Sequence, residues 1–248
     1  MITLGVEPNG QNIILECGSL HPEKCVENVL KYRADIGICL DGDADRIILV
    51  NREGEVIDGD QLIGMFAKLL LDQKVMKKND EVVGTVMSNL GLEHYVKTLG
   101  LRFHRTQVGD RYIIENMRDN GGLLGGEPSG HIIFKNHSTT GDGVLAALKA
   151  LECMKFYGKS LKELTGSVKL FPQVIKNVKV KNKPPFETVP SIQNALRAAH
   201  EKLGEKGRIL LRYSGTETLA RVMVEAEDNK LVEEIADKLV DVIKKELA

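Results

Sequence analysis

Three carboxylates at alternate positions, Asp41, Asp43 and Asp45, stand in the run Asp41-Gly-Asp-Ala-Asp-Arg46 between two apolar stretches, residues 36–40 and 47–50. Ionised together in one turn they repel one another, and a hard divalent cation with oxygen ligands relieves that repulsion. Magnesium is the leading candidate, although an acidic turn left in solvent would read the same way from the carboxylates alone. The flanks favour the cation, because both apolar stretches read as short strands and the carboxylates then sit where a sheet ends. An EF-hand also opens D-x-D-x-D. It requires Gly at its sixth position and Glu at its twelfth, and this chain has Arg46 and Arg52 there.

Two further runs could hold a ligand. In Gly125-Gly-Glu-Pro-Ser-Gly-His131 the glycines permit close backbone approach, and Glu127, Ser129 and His131 alternate as donors and acceptors suited to sugar hydroxyls. The plain alternative is a tight hairpin between two strands. In Arg212-Tyr-Ser-Gly-Thr-Glu217, followed by Arg221, two hydroxyls and a Gly-containing turn offer a cradle for phosphate with two guanidinium forks beside it. Here too an ordinary hairpin turn, with the arginines on solvent faces, fits the same residues. A divalent metal, a hydroxyl-gripping loop and a phosphate cradle together are what a phosphosugar enzyme needs, since phosphoryl transfer gains mostly from positioning and charge neutralisation. A nucleophile is missing from the set.

The elements that must carry these loops follow from the apolar pattern. Residues 61–71 have helical spacing, with Asp60 placed to cap the helix. From residue 80 onward strand and helix patterns alternate: 82–87 strand, 90–99 helix, 102–104 strand, 110–120 helix, which predicts a layered α/β domain with a mixed sheet. Thr139-Thr-Gly-Asp142 caps an apolar helix over 143–157, and the pattern changes near Phe171-Pro172. The last part reads as a small α+β domain, with strands at 174–180, 208–213 and 219–226 and helices at 191–203 and 230–247.

Composition bounds the rest. With 248 residues, 42% apolar and 28% charged, the chain has the balance of a globular protein of one or two domains. A net charge of −1 gives no electrostatic reason to expect nucleic acid or an anionic membrane as partner. No stretch approaches the ~18 apolar residues of a membrane span and no secretory leader opens the chain, so the expected location is cytoplasmic. The four cysteines, Cys17, Cys25, Cys39 and Cys153, contain no C-x-x-C pair and are expected to be structural thiols.

In order and spacing, Asp41-Gly-Asp-Ala-Asp-Arg46, Gly126-Glu-Pro-Ser-Gly-His131 and Arg212-Tyr-Ser-Gly-Thr-Glu217 resemble three signature loops of the α-D-phosphohexomutase superfamily. The intermediate runs Thr85-Val-Met-Ser-Asn-Leu-Gly91, Val108-Gly-Asp-Arg-Tyr112 and Thr139-Thr-Gly-Asp-Gly143 look most like its bacterial phosphoglucosamine mutase branch. The resemblance implies interconversion of glucosamine 6-phosphate and glucosamine 1-phosphate through a bisphosphorylated intermediate, using a phosphoserine and one Mg2+, for cell-wall precursor synthesis. It implies Asp41, Asp43 and Asp45 as metal ligands and Arg46 beside the phosphoserine. Glu127 and Ser129 would hold sugar hydroxyls with His131 nearby, and Arg212, Ser214, Gly215, Thr216 and Arg221 would bind the phosphate that is not transferred. The implied fold is α/β in three parts. Residues 1–58 are the C-terminal part of a three-layer domain II, 59–170 a complete α/β/α domain III with mixed sheet, and 171–248 a small α+β domain IV of the TATA-box-binding-protein-like kind.

Departures from the pattern shape the expectations. The phosphoserine of such enzymes lies in a Thr-Ala-Ser-His-Asn-Pro type loop, absent from these residues, so the chain is expected to be inactive alone unless another chain supplies an N-terminal half. Gln107 stands where a Lys belongs, and a neutral amide neither transfers protons in general acid or base catalysis nor carries charge. Ala44 replaces a Gly, which matters if its φ is positive; Pro128 replaces a Gln, and Thr218 a Pro. Two other readings stay open: a noncatalytic remnant or sugar-phosphate-binding module, and a phosphoglucomutase or phosphomannomutase specificity. A domain II lacking its front half is expected to expose apolar surface and be poorly soluble without a partner.

Overall fold

The structure, a computed structural model, describes all of residues 1–248 except the side chain of Glu205. The chain divides into two compact units, Met1–Lys169 and Leu170–Ala248.

The first unit opens with an irregular segment and helix α1 (Glu23–Tyr32), which packs Val26 and Val29 on a small three-stranded sheet. That sheet is an antiparallel meander, β1 (Ile36–Leu40), β2 (Ile47–Asn51) and β3 (Val56–Ile57), with Leu40 opposite Ile47 across the first turn. Every residue of β2 is buried, which explains why it reads as a continuous apolar run rather than an alternating one.

Helix α2 (Gly59–Asp72) follows and is apolar almost all round, as a helix enclosed by other layers must be. It forms the centre of the main core, where Phe66 meets Phe134 edge to face at 5.1 Å. Its cap is Asp58, whose carboxylate accepts from the Gln61 N–H at 3.0 Å, not Asp60 as the spacing predicts. Asp60 lies inside the first turn and is 1% exposed, because its carboxylate accepts from the Asn89 N–H at 2.6 Å and pins the following loop.

Then β4 (Glu81–Thr85), α3 (Leu90–Thr98), β5 (Arg102–Thr106), α4 (Asp110–Asn120), β6 (Leu124–Gly126), β7 (Ile132–Phe134), α5 (Gly143–Tyr157) and α6 (Leu161–Thr165) complete the unit. The four strands run in the order β5-β4-β6-β7, with β4 parallel to both β5 and β6 and β6 antiparallel to β7, so the sheet is mixed. Parallel pairs need helical crossovers, which α3 and α4 supply. Among the described residues no helix is long and apolar enough to cross a membrane.

In the second unit β8 (Gln173–Lys179), β9 (Gly207–Tyr213) and β10 (Leu219–Ala226) form an antiparallel sheet in the order β8-β10-β9. Helices α7 (Pro190–Leu203) and α8 (Asn229–Leu247) cover it, burying Val222 and Val224 of the central strand against Ile235, Leu239 and Ile243 of α8. Both units are α/β structures in which loops at strand ends carry the polar residues of interest.

Candidate functional site

All three ligand-type runs are hairpin connections. The loop 41–46 joins β1 to β2, the loop 127–131 joins β6 to β7, and the loop 214–218 joins β9 to β10. The hairpin and ligand-loop readings of the sequence are therefore not exclusive.

In the first loop Asp41, Asp43 and Asp45 bring one oxygen each to within 4.8 Å of one another. Asp43 is exposed, whereas the Asp41 side chain is only 3% exposed. The loop is shaped by Arg46: its N–H bonds Asp41 Oδ1 at 3.0 Å, and its Nε–H bonds Asp41 Oδ2 at 2.7 Å and Asp45 Oδ1 at 3.3 Å. Burial raises Asp41, but the Arg46 N–H, the hydrogen bond shared with Asp45 and the guanidinium outweigh it and hold this carboxyl below its ordinary range. Asp45 goes the other way. Burial, the bond shared with Asp41 and the charges of Asp41 and Asp43 push it up. A single arginine thus pairs with two of the three acids, and an all-oxygen donor set of this kind fits a hard cation such as Mg2+.

Sequence spacing gave no hint of the support around this loop. The His131 ring, 4% exposed, accepts from the Gly141 N–H at Nε2 over 3.0 Å, which places its hydrogen on Nδ1, 3.1 Å from Asp45 Oδ2. His131 is therefore an orienting partner of a candidate ligand, the arrangement that fixes carboxylate geometry at metal sites. The Gly143 N–H donates to the Ala44 carbonyl at 2.8 Å, tying the start of α5 to the loop. The run Thr139-Thr-Gly-Asp-Gly143 reads as a helix cap in sequence; its two glycines carry these contacts. A Cβ on Gly141 would stand 2.5 Å from the imidazole. Ala44 adopts φ of 60°, the left-handed region that L residues occupy at a cost.

The second loop lies across the first. The Ile47 N–H donates to the Gly130 carbonyl at 3.1 Å, the Gly59 N–H to the Pro128 carbonyl at 3.0 Å, and Arg46 forms an isolated bridge with His131. Gly130 has φ of 89°, and a Cβ there would meet the Ile47 carbonyl oxygen at 1.8 Å, so this packing requires glycine. Glu127 accepts from the Gly109 N–H at Oε1, 3.0 Å away, which links the hairpin to the loop that carries Gln107 at the start of α4. Ser129 and Gln107 are both exposed.

The third loop belongs to the second unit. Antiparallel register sets Arg212 directly opposite Arg221, a like-charge pair that disfavours the hairpin unless an anion sits between or beside the two. Glu217 partly neutralises them through a 3.1 Å bond to the Arg221 guanidinium, while Arg221 Nε is buried with no partner. Ser214 is 4% exposed; its N–H donates to the Leu219 carbonyl at 2.8 Å and its hydroxyl accepts from the Glu217 N–H at 3.3 Å, so it shapes the turn. Gly215 and Thr216 are exposed at the tip. Lys183, unnoticed in sequence, bonds the Ser214 carbonyl at 2.7 Å and adds a third cation to the loop.

Comparison with known proteins agrees with this architecture. Residues 58–171 match the family model described as phosphoglucomutase/phosphomannomutase, alpha/beta/alpha domain III, and residues 175–242 that of the phosphoglucomutase/phosphomannomutase C-terminal domain. The phosphoglucosamine mutase of Nitratidesulfovibrio vulgaris is 49% identical over 247 residues, 100% of this chain and 55% of the relative. That of Rhizobium meliloti is 49% identical over 243 residues, 98% of this chain and 54% of the relative. The chain spans about half the length of the curated relatives it matches. Among solved structures, N-acetylphosphoglucosamine mutase of Aspergillus fumigatus in complex with GlcNAc-6P and magnesium superposes with a TM-score of 0.73 at 23% identity, over 93% of this chain and 53% of that one. A phosphoglucomutase/phosphomannomutase family protein of Burkholderia thailandensis gives 0.73 at 21% identity, over 92% and 50%. The two domain matches, in the expected order and across most of both units, establish that this chain belongs to the phosphoglucomutase/phosphomannomutase family.

Proposed function

We propose that these residues are the metal-, sugar- and phosphate-binding portion of a phosphoglucosamine mutase, interconverting glucosamine 6-phosphate and glucosamine 1-phosphate through a bisphosphorylated intermediate. The observation that carries the reading is the braced acidic loop, in which Asp41, Asp43 and Asp45 bring oxygens within 4.8 Å of one another while Arg46 pairs with Asp41 and Asp45. The 49% identity to curated phosphoglucosamine mutases supports the choice of amino sugar. On this reading residues 1–58 are the end of domain II, 59–170 domain III and 171–248 domain IV.

The roles follow from the contacts. Asp41, Asp43 and Asp45 would hold one Mg2+, which when bound neutralises charge on the phosphoryl group being transferred. Arg46 commits its Nε–H to Asp41 and Asp45 and keeps a side chain 39% exposed, leaving its terminal donors to meet phosphoryl oxygens. His131 keeps Asp45 in place. Glu127 retains one carboxylate oxygen beyond its bond to Gly109 and, with Ser129, grips sugar hydroxyls. Arg212, Arg221, Ser214, Gly215 and Thr216 take the phosphate that is not transferred, which relieves the opposed arginines.

None of residues 1–248 forms a Thr-Ala-Ser-His-Asn-Pro loop, so turnover is expected to need a phosphoserine segment beyond these 248 residues. Gln107 favours a second reading, a noncatalytic sugar-phosphate-binding module, because its exposed amide cannot transfer a proton. Calorimetry with glucosamine 6-phosphate and Mg2+ tests the binding roles. Binding that Arg212→Ala or Arg221→Ala abolishes supports them, and no heat at millimolar ligand overturns them. Turnover of glucosamine 1-phosphate by the chain alone, with glucose 1,6-bisphosphate as activator, would overturn the expected dependence on a second segment.

A further inference from the structure

We propose that Cys25 and Cys39 form an oxidisable dithiol that a hydroperoxide closes into a disulfide, clamping α1 to the strand that leads into the acidic loop.

The pair is built by two elements of the first unit. Cys25 lies in the first turn of α1 and Cys39 in β1, two residues before Asp41, and Cys25 packs against the small apolar cluster that holds Cys39. Gly37, on the same face of β1 as Cys39, makes the room: a Cβ there would stand 2.5 Å from Cys25 Sγ. Both cysteines line a cavity of about 330 Å³ that Cys17, His21, Lys24 and Asp41 also border, so a small oxidant has a route to a pair that is otherwise packed among Val29, Ile48 and Val50.

The chemistry favours Cys25 as the attacking sulfur. The hydrogen bond from Cys39 outweighs burial and, with the Ile38 N–H, lowers the Cys25 thiol to about 7, so a substantial fraction is thiolate at neutral pH. The Cys25 thiolate attacks one peroxide oxygen, the O–O bond breaks, and the leaving hydroxide takes up the proton that the Cys25 thiol gave to solvent on ionising, giving water and a sulfenic acid. The Cys39 sulfur then attacks the Cys25 sulfur, the S–O bond breaks, and the hydroxyl departs with the Cys39 proton as water. In total two thiols and one hydrogen peroxide become one disulfide and two waters. Cys153 is the internal control, since it is buried and burial pushes its thiol up to about 12.

The test is a non-reducing tryptic map of the whole chain after brief exposure to hydrogen peroxide and alkylation of remaining thiols. Cleavage after Lys24, Lys31, Arg33 and Arg46 puts the two cysteines on separate peptides, 25–31 and 34–46. The expected result is a disulfide-linked pair of these peptides, loss of two of the four free thiols and full alkylation of Cys17 and Cys153. With Cys39→Ser, the sulfenic acid on Cys25 should persist and be trapped by dimedone. In concentrated urea the preference should vanish, because the shorter loop from Cys17 to Cys25 closes more readily in an unfolded chain. Peptides 25–31 and 34–46 both fully alkylated after peroxide, or the same mixture of pairings with and without urea, would overturn the proposal.

Discussion

The acidic loop of β1–β2 and the arginine loop of β9–β10 are both short antiparallel hairpin connections that gather like charges, yet they are held in different ways. The acidic loop is braced from outside its own hairpin: Gly130 and His131 reach it from one segment and Gly143 from another, each by a backbone or buried ring contact. The arginine loop is closed mostly by its own residues Ser214 and Glu217; from farther away it is met by the Val180 N–H, which donates to the Thr218 carbonyl at 3.0 Å, and by the Lys183 side chain. Fixed carboxylates suit a cation that demands definite ligand geometry, whereas a phosphate can be gathered by long, adaptable guanidinium arms.

Glycine substitutions break this contrast most sharply. Gly130→Ala, with positive φ and a Cβ 1.8 Å from the Ile47 carbonyl, should lower unfolding stability by at least ~3 kcal/mol or prevent folding. Gly215→Ala, with no atom within 4 Å of its Cβ, should stay within ~0.5 kcal/mol. Urea denaturation followed by circular dichroism measures both. Comparable losses in the two variants would show that the loops are equally constrained.

Next in size is a pair of binding measurements. His131→Ala removes the partner of Asp45 and should weaken Mn2+ or Mg2+ binding by about 10- to 100-fold, as removal of an orienting partner does, with little change in phosphate binding. Arg221→Ala should do the reverse, costing about 10-fold or more in phosphate affinity through a lost charge-assisted bond. Manganese titration by electron paramagnetic resonance and phosphate titration by calorimetry read the two effects separately. Loss of metal binding in Arg221→Ala would contradict independent support of the two loops.

How far these differences are legible in sequence depends on whether the cause is local. The strands that flank each loop follow from apolar pattern, and the acidic and arginine residues are visible by type and spacing. The bracing is not, because His131 meets Asp45 across 86 positions of sequence and no local rule anticipates that contact. The same limit explains Asp60. As a residue type it suits a cap, but Asp58 two positions earlier takes that role and Asp60 is drawn to Asn89, 29 residues on. Helix α1 was readable in principle from Glu23 in its first turn, Lys31 in its last and apolar Val26 and Val29 between, yet its short amphipathic run sits beside irregular chain that hides it. The positive φ of Ala44 is a property of the folded turn, and from sequence it stands only as a condition on the cost of losing glycine.

That strain offers a smaller and opposite test. Ala44→Gly should relieve the left-handed cost, partly offset by the greater freedom glycine gains in the unfolded chain, for a net stabilisation of about 0.5–1 kcal/mol. A higher urea midpoint at unchanged slope is the expected reading. No gain would mean that the contact of Gly143 with the Ala44 carbonyl already holds the turn without strain.

The smallest expected effect separates the packed helix caps of the braced unit from open ones. Asp58 caps α2 with its carboxyl pushed above its ordinary value, chiefly by burial that the Gln61 and Asp60 N–H groups only partly offset. A carboxyl raised on folding binds protons more tightly in the native state, so its contribution is intact below the unfolded value of 3.8 and is lost as pH rises through the folded value. Asn caps as well as Asp and carries no charge to bury. Asp58→Asn should therefore match the parent near pH 3.5 and become the more stable of the two, by less than ~1 kcal/mol, as pH rises above the ordinary carboxylate range. Asp228→Asn, at the exposed cap of α8, removes no buried charge and is the control. Parallel urea titrations from pH 3.5 to 7 decide it, and a parent more stable than Asp58→Asn at neutral pH would mean that the buried charge is compensated by the N–H groups around it.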